Sequence, residues 1–375
     1  MGINYAFFSS RYAPEVGGVE SFSANLAQEL VSMGNEVTIV TSNTANAPSR
    51  ETQPNGVEIV RLPCRPLMNG RLPLAVRNWE YKNLLNSECL SHVDRVLVNT
   101  RFYGHSITGL SFAQDRSLPA VVLDHGSAYL TLGNPVADLA IHAHEHLITH
   151  RCISFSPTFA GISRASVKWL KTFGIDTNHV IPNSIDASAF RALSSGRDFR
   201  KDFGVSTEKT LVVSVGRLTP EKGAVELVDA ARLLDDSFTF FIAGDGFLRK
   251  ELEDCLPDNV FLLGNLSHPD LSALLSQADL FCLPSRSEGF CTSLLEAGAW
   301  GLTPAITHVG GSDEVMGNPT RFGEIIPRMD AESIASTLGE MVVTGETGHL
   351  DALQIHVEEN CSWAASVKAL EDAFV

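Results

Sequence analysis

The chain has 375 residues, 44% of them hydrophobic and 19% charged, and a formal net charge of −16. That length suits two domains, and the composition excludes a disordered or fibrous protein. The acidity is uneven, with 14 Lys+Arg against 14 Asp+Glu in residues 1–185 and 14 against 30 in residues 186–375, which makes the chain a poor candidate for nucleic-acid binding, since that calls for a basic patch.

The opening apolar run, 3–9, predicts a buried strand. A glycine-containing loop follows, then a helix on which Phe22, Leu26 and Leu30 share one face. Residues 37–41, 57–61, 95–99 and 120–124 predict further strands, with helices between several of them. Residues 187–209 are polar, rich in Ser, Arg and Asp, and read as an interdomain connection. The rhythm restarts at 211–215 and continues through 238–243, 260–263, 280–283 and 324–326. Two successive doubly wound α/β domains are expected, 1–186 and 187–357, with ligands beyond the carboxyl ends of their parallel strands. A last helix within 358–375 sets Trp363, Val367 and Leu370 on one face.

The seven cysteines are scattered, with no CxxC pair or Cys/His cluster, which favours reduced thiols. Residues 1–10 lack the features of a signal peptide, and no apolar run approaches the ~20 residues that span a bilayer. A cytoplasmic protein is expected. One stretch, 61–82, departs from the acidic trend. Arg61, Arg65, Arg71, Arg77 and Lys82 meet only Glu80 there, interleaved with Leu62, Leu67, Met68, Leu72 and Leu74. It reads either as a solvated loop with core anchors or as a peripheral contact with the inner face of an anionic membrane or a lipid-linked acceptor.

Two clusters carry chemistry. Gly216-Arg217-Leu218-Thr219-Pro220-Glu221-Lys222-Gly223 follows a predicted strand and opens a helix. An Arg and a Lys five apart at such a junction can converge on a diphosphate, with unpaired helix N–H groups adding to them. The second cluster, Glu288-Gly289-Phe290-Cys291-Thr292-Ser293-Leu294-Leu295-Glu296, follows the strand at 280–283. Glu288 precedes a helix and Glu296 lies about two turns inside it, where ionised carboxylates accept hydrogen bonds from sugar or ribose hydroxyls. Thr292 and Ser293 fall in the first turn, where backbone N–H groups meet phosphate oxygens. Taken singly, each cluster also reads as a turn or helix cap with surface charges.

Taken together, these motifs resemble the retaining glycosyltransferases of family 4, which have the GT-B fold of two Rossmann-like domains facing across a cleft. Pro14-Glu15-Val16-Gly17-Gly18-Val19-Glu20 is similar to the family's N-terminal glycine loop, which approaches the donor phosphates and the acceptor. Pro182-Asn183-Ser184-Ile185-Asp186 resembles the junction signature, with Ser184 where Gly is usual. Gly244-Asp245-Gly246 and Gly310-Gly311-Ser312-Asp313-Glu314 resemble two later glycine loops. The resemblance assigns Arg217 and Lys222 to the diphosphate, Glu288 to the donor sugar, Glu296 to the ribose and His125 to the active site beside the sugar. It adds Gly17, Gly18, Asn183, Gly216, Asp245, Gly246, Gly289, Phe290, Cys291, Thr292, Ser293 and Leu294 to the donor site. It further implies that the C-terminal helix crosses back to the first domain.

The implied reaction retains anomeric configuration and moves a hexose-type sugar from a nucleotide-diphosphate sugar to a saccharide, glycolipid or small-molecule acceptor. No cofactor and no metal are expected, since Arg217, Lys222 and a helix N-terminus can balance the leaving charge and no Asp-x-Asp motif is present. The rival reading is a catalytically inactive GT-B chain that binds a partner enzyme. Cys291 invites two readings, an activated thiol at a helix start or inert packing. His142, His146 and His150, four apart, with His144 and Glu145, invite a metal reading, but the HExxH pattern fails because Ile148 stands in the place of its second histidine.

Overall fold

The apolar runs of the N-terminal half fold as strands buried on both faces, as a parallel sheet demands. The computed structural model describes residues 2–15, 17–67, 70, 72–129 and 134–375, with the backbone alone for Pro135. Val16 of the glycine loop and Met68 and Arg71 of the basic stretch lie outside the described residues. The chain divides into two units, Met1–Ile181 with Ser366–Val375, and Pro182–Ala365.

The first unit contains β1 (Asn4–Ser9), β2 (Glu36–Ser42), β3 (Arg50–Thr52), β4 (Glu58–Leu62), β5 (Cys64–Leu67), β6 (Leu72–Ala75), β7 (Arg95–Asn99), β8 (Ala120–Asp124) and β9 (Thr158–Gly161). Its helices are α1 (Gly18–Ser32), α2 (Trp79–Leu85), α3 (Gly104–Asp115), α4 (Pro135–Ile153) and α5 (Arg164–Leu170). The sheet order is β3-β4-β2-β1-β7-β8-β9, parallel except where β3 runs against β4. Growth of the sheet reverses between β1 and β7, which makes their carboxyl ends the topological switch point. On α1 the face bearing Phe22, Leu26 and Leu30 is buried, as its spacing predicts. The strands β5 and β6 form a separate antiparallel hairpin.

The second unit contains α6 (Ala187–Ala192), α7 (Phe199–Asp202), α8 (Ala224–Leu233), α9 (Arg249–Glu253), α10 (His268–Leu275), α11 (Thr292–Ala299), α12 (Ser312–Met316), α13 (Ala331–Thr344), α14 (Asp351–Asn360) and α15 (Trp363–Asp372), the last shared with the first unit. Its strands are β10 (Thr210–Val215), β11 (Phe238–Ala243), β12 (Val260–Gly264), β13 (Leu280–Leu283), β14 (Pro304–Thr307) and β15 (Glu324–Ile326). They form one parallel sheet in the order β12-β11-β10-β13-β14-β15. The same reversal therefore recurs between β10 and β13. Among the described residues no helix is long and apolar enough to cross a membrane.

The stretch 187–209 is folded rather than a plain connection. Its α6 and α7 send Ala187, Phe190 and Phe199 into the second unit's core, so these apolar anchors outweigh a polar composition. The tail also divides. Leu353, Val357 and Cys361 belong to that core, whereas from Ser366 on the chain belongs to the first unit. There the Phe374 ring lies 6.2 Å from Tyr5 and 5.1 Å from the Arg95 guanidinium.

Backbone crowding at strand ends explains two glycines. A Cβ on Gly223 would lie 2.2 Å from the Pro284 carbonyl oxygen, and one on Gly244 would lie 1.9 Å from that of Gly216. Both residues also have positive φ, +72° and +136°. Gly345 has a similar φ, +77°, but open space around it. Gly345→Ala is therefore expected to cost about 1 kcal/mol, from backbone strain alone. Gly223→Ala and Gly244→Ala should cost at least about 3 kcal/mol, as severe steric clashes do. Urea unfolding of the three variants checks this, and equal losses would contradict the crowding argument.

Candidate active site

In the second unit the strands β10, β11, β13 and β14 all end on one edge of the sheet, and their loops are bonded to one another through the backbone. The Leu218 N–H donates to Asp245 O (2.9 Å) and the Arg286 N–H to Glu221 O (2.8 Å). The Cys291 N–H donates to Gly310 O (2.9 Å), and the Gly310 N–H returns a bond to Glu288 O (3.3 Å). A Cβ on Gly310 would sit 2.1 Å from Gly289 O, so this last pairing also needs a glycine.

This weave brings Lys222, from the loop after β10, onto Glu288, from the loop after β13. The Lys222 ammonium donates to Glu288 Oε1 as an ion pair, with side chains 17% and 10% exposed. Ser285 Oγ donates to the same carboxylate oxygen at 2.9 Å and lies 3.1 Å from Glu221 O. Arg217, by contrast, stays exposed, 3.5 Å from Glu221. The helices α8 and α11 both start at this edge without a side chain capping their first amides. Two uncapped N-termini and a lysine give the edge positive character that suits an anion. Asn183 Nδ2 donates to Thr292 Oγ1 at the start of α11 (3.0 Å).

Beside it lies a pocket of about 200 Å³ lined by Val215, Gly216, Arg217, Gly244, Asp245, Asn265 and Leu266, among others. Asp245 accepts the Gly246 N–H at 2.7 Å, and Gly244 closes onto Gly216. Glu296 is partly buried on α11 and no described residue pairs with its carboxylate. Burial raises its pKa to about 7. Thr292 is exposed and Ser293 half-buried. Phe290 packs on the core, and the Cys291 and Leu294 side chains belong to it.

The activated-thiol reading of Cys291 does not hold. The thiol is 2% exposed. Burial first, and then the Glu288 carboxylate, push it up to about 12 against the opposing pull of Ser293, the Leu294 amide and Lys222. Cys255 is the exposed thiol. Iodoacetamide at pH ~8 should therefore label Cys255 in the folded protein and reach Cys291 only after denaturation, as peptide mass spectrometry would show. Equal labelling of the two would restore the activated thiol.

In the first unit, His125 follows β8 directly. Its Nε2 lies 2.9 Å from Asn99 Oδ1, at the end of β7, and Phe22 meets the ring edge-on at 5.1 Å between centroids. Burial lowers its pKa to about 3, so the imidazole is neutral. The end of β8 is held by buried charge. Arg101 donates to Glu145 at 2.6 Å and to Thr149 at 3.1 Å, lies 3.5 Å from Asp124, and covers the Phe173 ring at 3.6 Å. Burial raises Asp124 to about 6, against the pull of Arg101. Gly17 adopts an extended backbone in which a Cβ would meet the Glu20 carboxylate at 2.4 Å, and Gly18 opens α1.

Two of the histidines and the glutamate of α4 that drew a metal reading are engaged elsewhere. Glu145 is committed to Arg101, His146 is hydrogen-bonded to Tyr129 (2.7 Å) and His142 stacks on that ring (4.0 Å). Among the described residues no group of three His, Cys, Asp or Glu side chains is placed to hold a metal. In the 61–82 stretch Arg61 turns inward to Glu51 and the Ala13 and Pro48 carbonyls, while Leu67, Leu74 and Trp79 are exposed. Sequence reasoning missed Ser285 and Asn99 as partners of Glu288 and His125. For Asn99 the available signal was a polar residue closing an apolar run; Ser285 stands two residues beyond β13.

Comparison with known proteins agrees with this architecture. Residues 16–189 match the family model described as Glycosyltransferase Family 4, and residues 196–347 match Glycosyl transferases group 1. A phosphatidylinositol N-acetylglucosaminyltransferase subunit from Arabidopsis thaliana is 26% identical over 82% of this chain and 68% of its own length. Its Homo sapiens counterpart is 27% identical over 84% and 63%. The chain thus spans about two thirds of these relatives. Among solved structures, sucrose-phosphate synthase from Thermosynechococcus elongatus superposes with a TM-score of 0.74 at 17% identity, covering 99% of this chain and 98% of that one. Anabaena HepE, solved with UDP and glucose, gives 0.68 at 16%, covering 99% and 98%. Two Rossmann-like units with these likenesses define a glycosyltransferase of the GT-B fold. The chain belongs to glycosyltransferase family 4.

The raised pKa of Glu296 has a stability consequence. Between pH 4.5 and about 7 the folded chain keeps a proton that an unfolded carboxylate has released, so stability falls as pH rises through that window. Asp124 contributes with the same sign up to about 6. Glu296→Gln should remove its own part of the slope and leave that of Asp124. Urea midpoints at pH ~5 and ~7.5 check this, and an unchanged slope in the variant would contradict it.

Proposed function

We propose that the protein moves a hexose-type sugar, with retention of configuration and without a metal, from a nucleotide-diphosphate sugar to a saccharide or lipid-linked acceptor. The observation that carries this reading is the Lys222–Glu288 pair beside the uncapped starts of α8 and α11. Lys222 and Arg217 bind the diphosphate, Glu288 holds Lys222 and faces the donor sugar, and the pocket at Gly216 and Asn265 takes the nucleotide base. Glu296, ionised, accepts the ribose hydroxyls, and His125 serves the sugar. Gly17 and Gly18 belong to the same donor-binding set, with open space beside Gly18 for phosphates or acceptor.

In the reaction the acceptor hydroxyl attacks the anomeric carbon from the side the diphosphate leaves. The glycosidic C–O bond forms as the sugar–phosphate C–O bond breaks, and the proton passes to a phosphate oxygen. Arg217, Lys222 and the helix N-termini stabilise the charge that grows on the departing diphosphate, the role otherwise given to a divalent ion. The names of the relatives from Arabidopsis and human put N-acetylglucosamine and inositol phospholipids first in a donor and acceptor screen.

Thermal unfolding with UDP, GDP or ADP, each with EDTA, tests this. One nucleotide should raise apparent stability by about 2.7 kcal/mol at a hundredfold excess over its Kd. Lys222→Met should weaken that nucleotide about tenfold or more, the scale of a charge-assisted hydrogen bond. A shift lost with EDTA, or no shift with any nucleotide, would contradict the proposal.

We further propose that Leu67, Leu74 and Trp79, with the exposed Arg65 and Arg77, make a peripheral contact with the anionic inner face of a membrane. Flotation should bring the protein up with phosphatidylglycerol vesicles and leave it behind with phosphatidylcholine ones. Leu67→Asp with Leu74→Asp should abolish the first result. Equal flotation with both vesicles, or no effect of the substitutions, would overturn the contact.

A further inference from the structure

At the switch point of the first unit three polar side chains, two of them fully buried, form a one-way chain. Ser23 Oγ lies 2.7 Å from the carbonyl oxygen of Val19, one turn earlier on α1. A carbonyl oxygen carries no hydrogen, so at that distance the single Ser23 proton must lie between the two oxygens. With its proton spent, the Ser23 oxygen can only accept from Asn99, 3.0 Å away, and the atom facing it must be the amide nitrogen. The Asn99 oxygen then faces His125 Nε2 at 2.9 Å. That oxygen also carries no hydrogen, so the proton must sit on Nε2. Ser23 and Asn99 are 0% and 1% exposed, so water does not compete for these bonds.

We propose that Asn99, with its amide oriented by Ser23, is a positioning residue that fixes His125 as its Nε2–H tautomer and leaves Nδ1 as a hydrogen-bond acceptor. No described residue pairs with Nδ1, and the ring is partly exposed. Resting on the reading of His125 as a donor-sugar residue, the consequence is a specificity rule: His125 recognises a hydroxyl that donates its proton. A sugar whose corresponding position is deoxy or O-methylated leaves that acceptor unpaired and is selected against. The neutral state of His125 agrees with this, since an imidazolium would have no acceptor nitrogen.

Proton–nitrogen correlation NMR on ¹⁵N-histidine-labelled protein reads the tautomer directly and needs no substrate, with the His125 signals assigned by their loss in His125→Gln. The wild type should show the Nε2–H pattern. Asn99→Asp keeps an acceptor oxygen toward Nε2 and should keep the pattern, whereas Asn99→Ala and Ser23→Ala should yield a tautomer mixture. Melting curves confirm that each variant is folded, and if Asn99→Ala is not, Ser23→Ala carries the comparison. An Nδ1–H pattern in the wild type, or an Nε2–H pattern unchanged in both alanine variants, overturns the proposal. With the donor that supports turnover, Asn99→Ala should raise the donor KM about tenfold, and Asn99→Asp should restore it. Failure of the reading of His125 as a donor-sugar residue would appear separately, as full activity in His125→Gln, whatever the spectra show.

Discussion

Carbonyl oxygens about 2 Å from where a Cβ would stand set the terms for the second unit. Gly244 against Gly216, Gly223 against Pro284 and Gly310 against Gly289 allow four strand-end loops to touch through their backbones. Everything charged at that edge depends on this closeness. Lys222 and Glu288 are separated by 66 residues, and they meet because the loops after β10 and β13 are bonded at Glu221 and Arg286. An ion pair between flexible loops contributes little. Held by rigid backbone, the same pair aims a cation at a fixed point, which is what binding a diphosphate demands.

The first unit repeats the topology with other chemistry. Its sheet reverses between β1 and β7, and the residue closing β7 is Asn99, which orients His125 at the end of β8. Burial acts on both units with the same physics and different results. It keeps His125 neutral, raises Glu296 to about 7 and makes Cys291 inert. Where a buried charge persists, as at Arg101, it is held by partners.

Much of this was legible in the sequence because the strands are short apolar runs and the chemistry sits at their ends. The strand at 211–215 and the charges after it identified both the second sheet and its edge. What was less legible follows from physics that local pattern does not carry. β14 begins with Pro304, which argues against a strand unless it is the first residue, as it is here. β3 is Arg-Glu-Thr, a polar edge strand with no apolar run to read. The polar stretch 187–209 hides Phe190 and Phe199, whose burial only the folded chain reveals. Cys291 invited an activated and an inert reading from its place at a helix start, and its depth in the core decides for the inert one. Ser285 lies only three residues from Glu288, but Asn99 meets His125 from the neighbouring strand's end, and spacing along the chain does not show that contact.

The claim on which the rest stands is that the edge beyond β10 and β13 is built for a diphosphate. Isothermal titration calorimetry in EDTA, comparing a nucleoside diphosphate with its monophosphate, tests it most directly. The account predicts that the diphosphate binds the wild type at least about tenfold more tightly, since the second phosphate adds a charge-assisted hydrogen bond, and that this preference disappears in an Arg217→Ala, Lys222→Met variant. Equal affinity for the two nucleotides in the wild type, or a preference that survives in the variant, would contradict it.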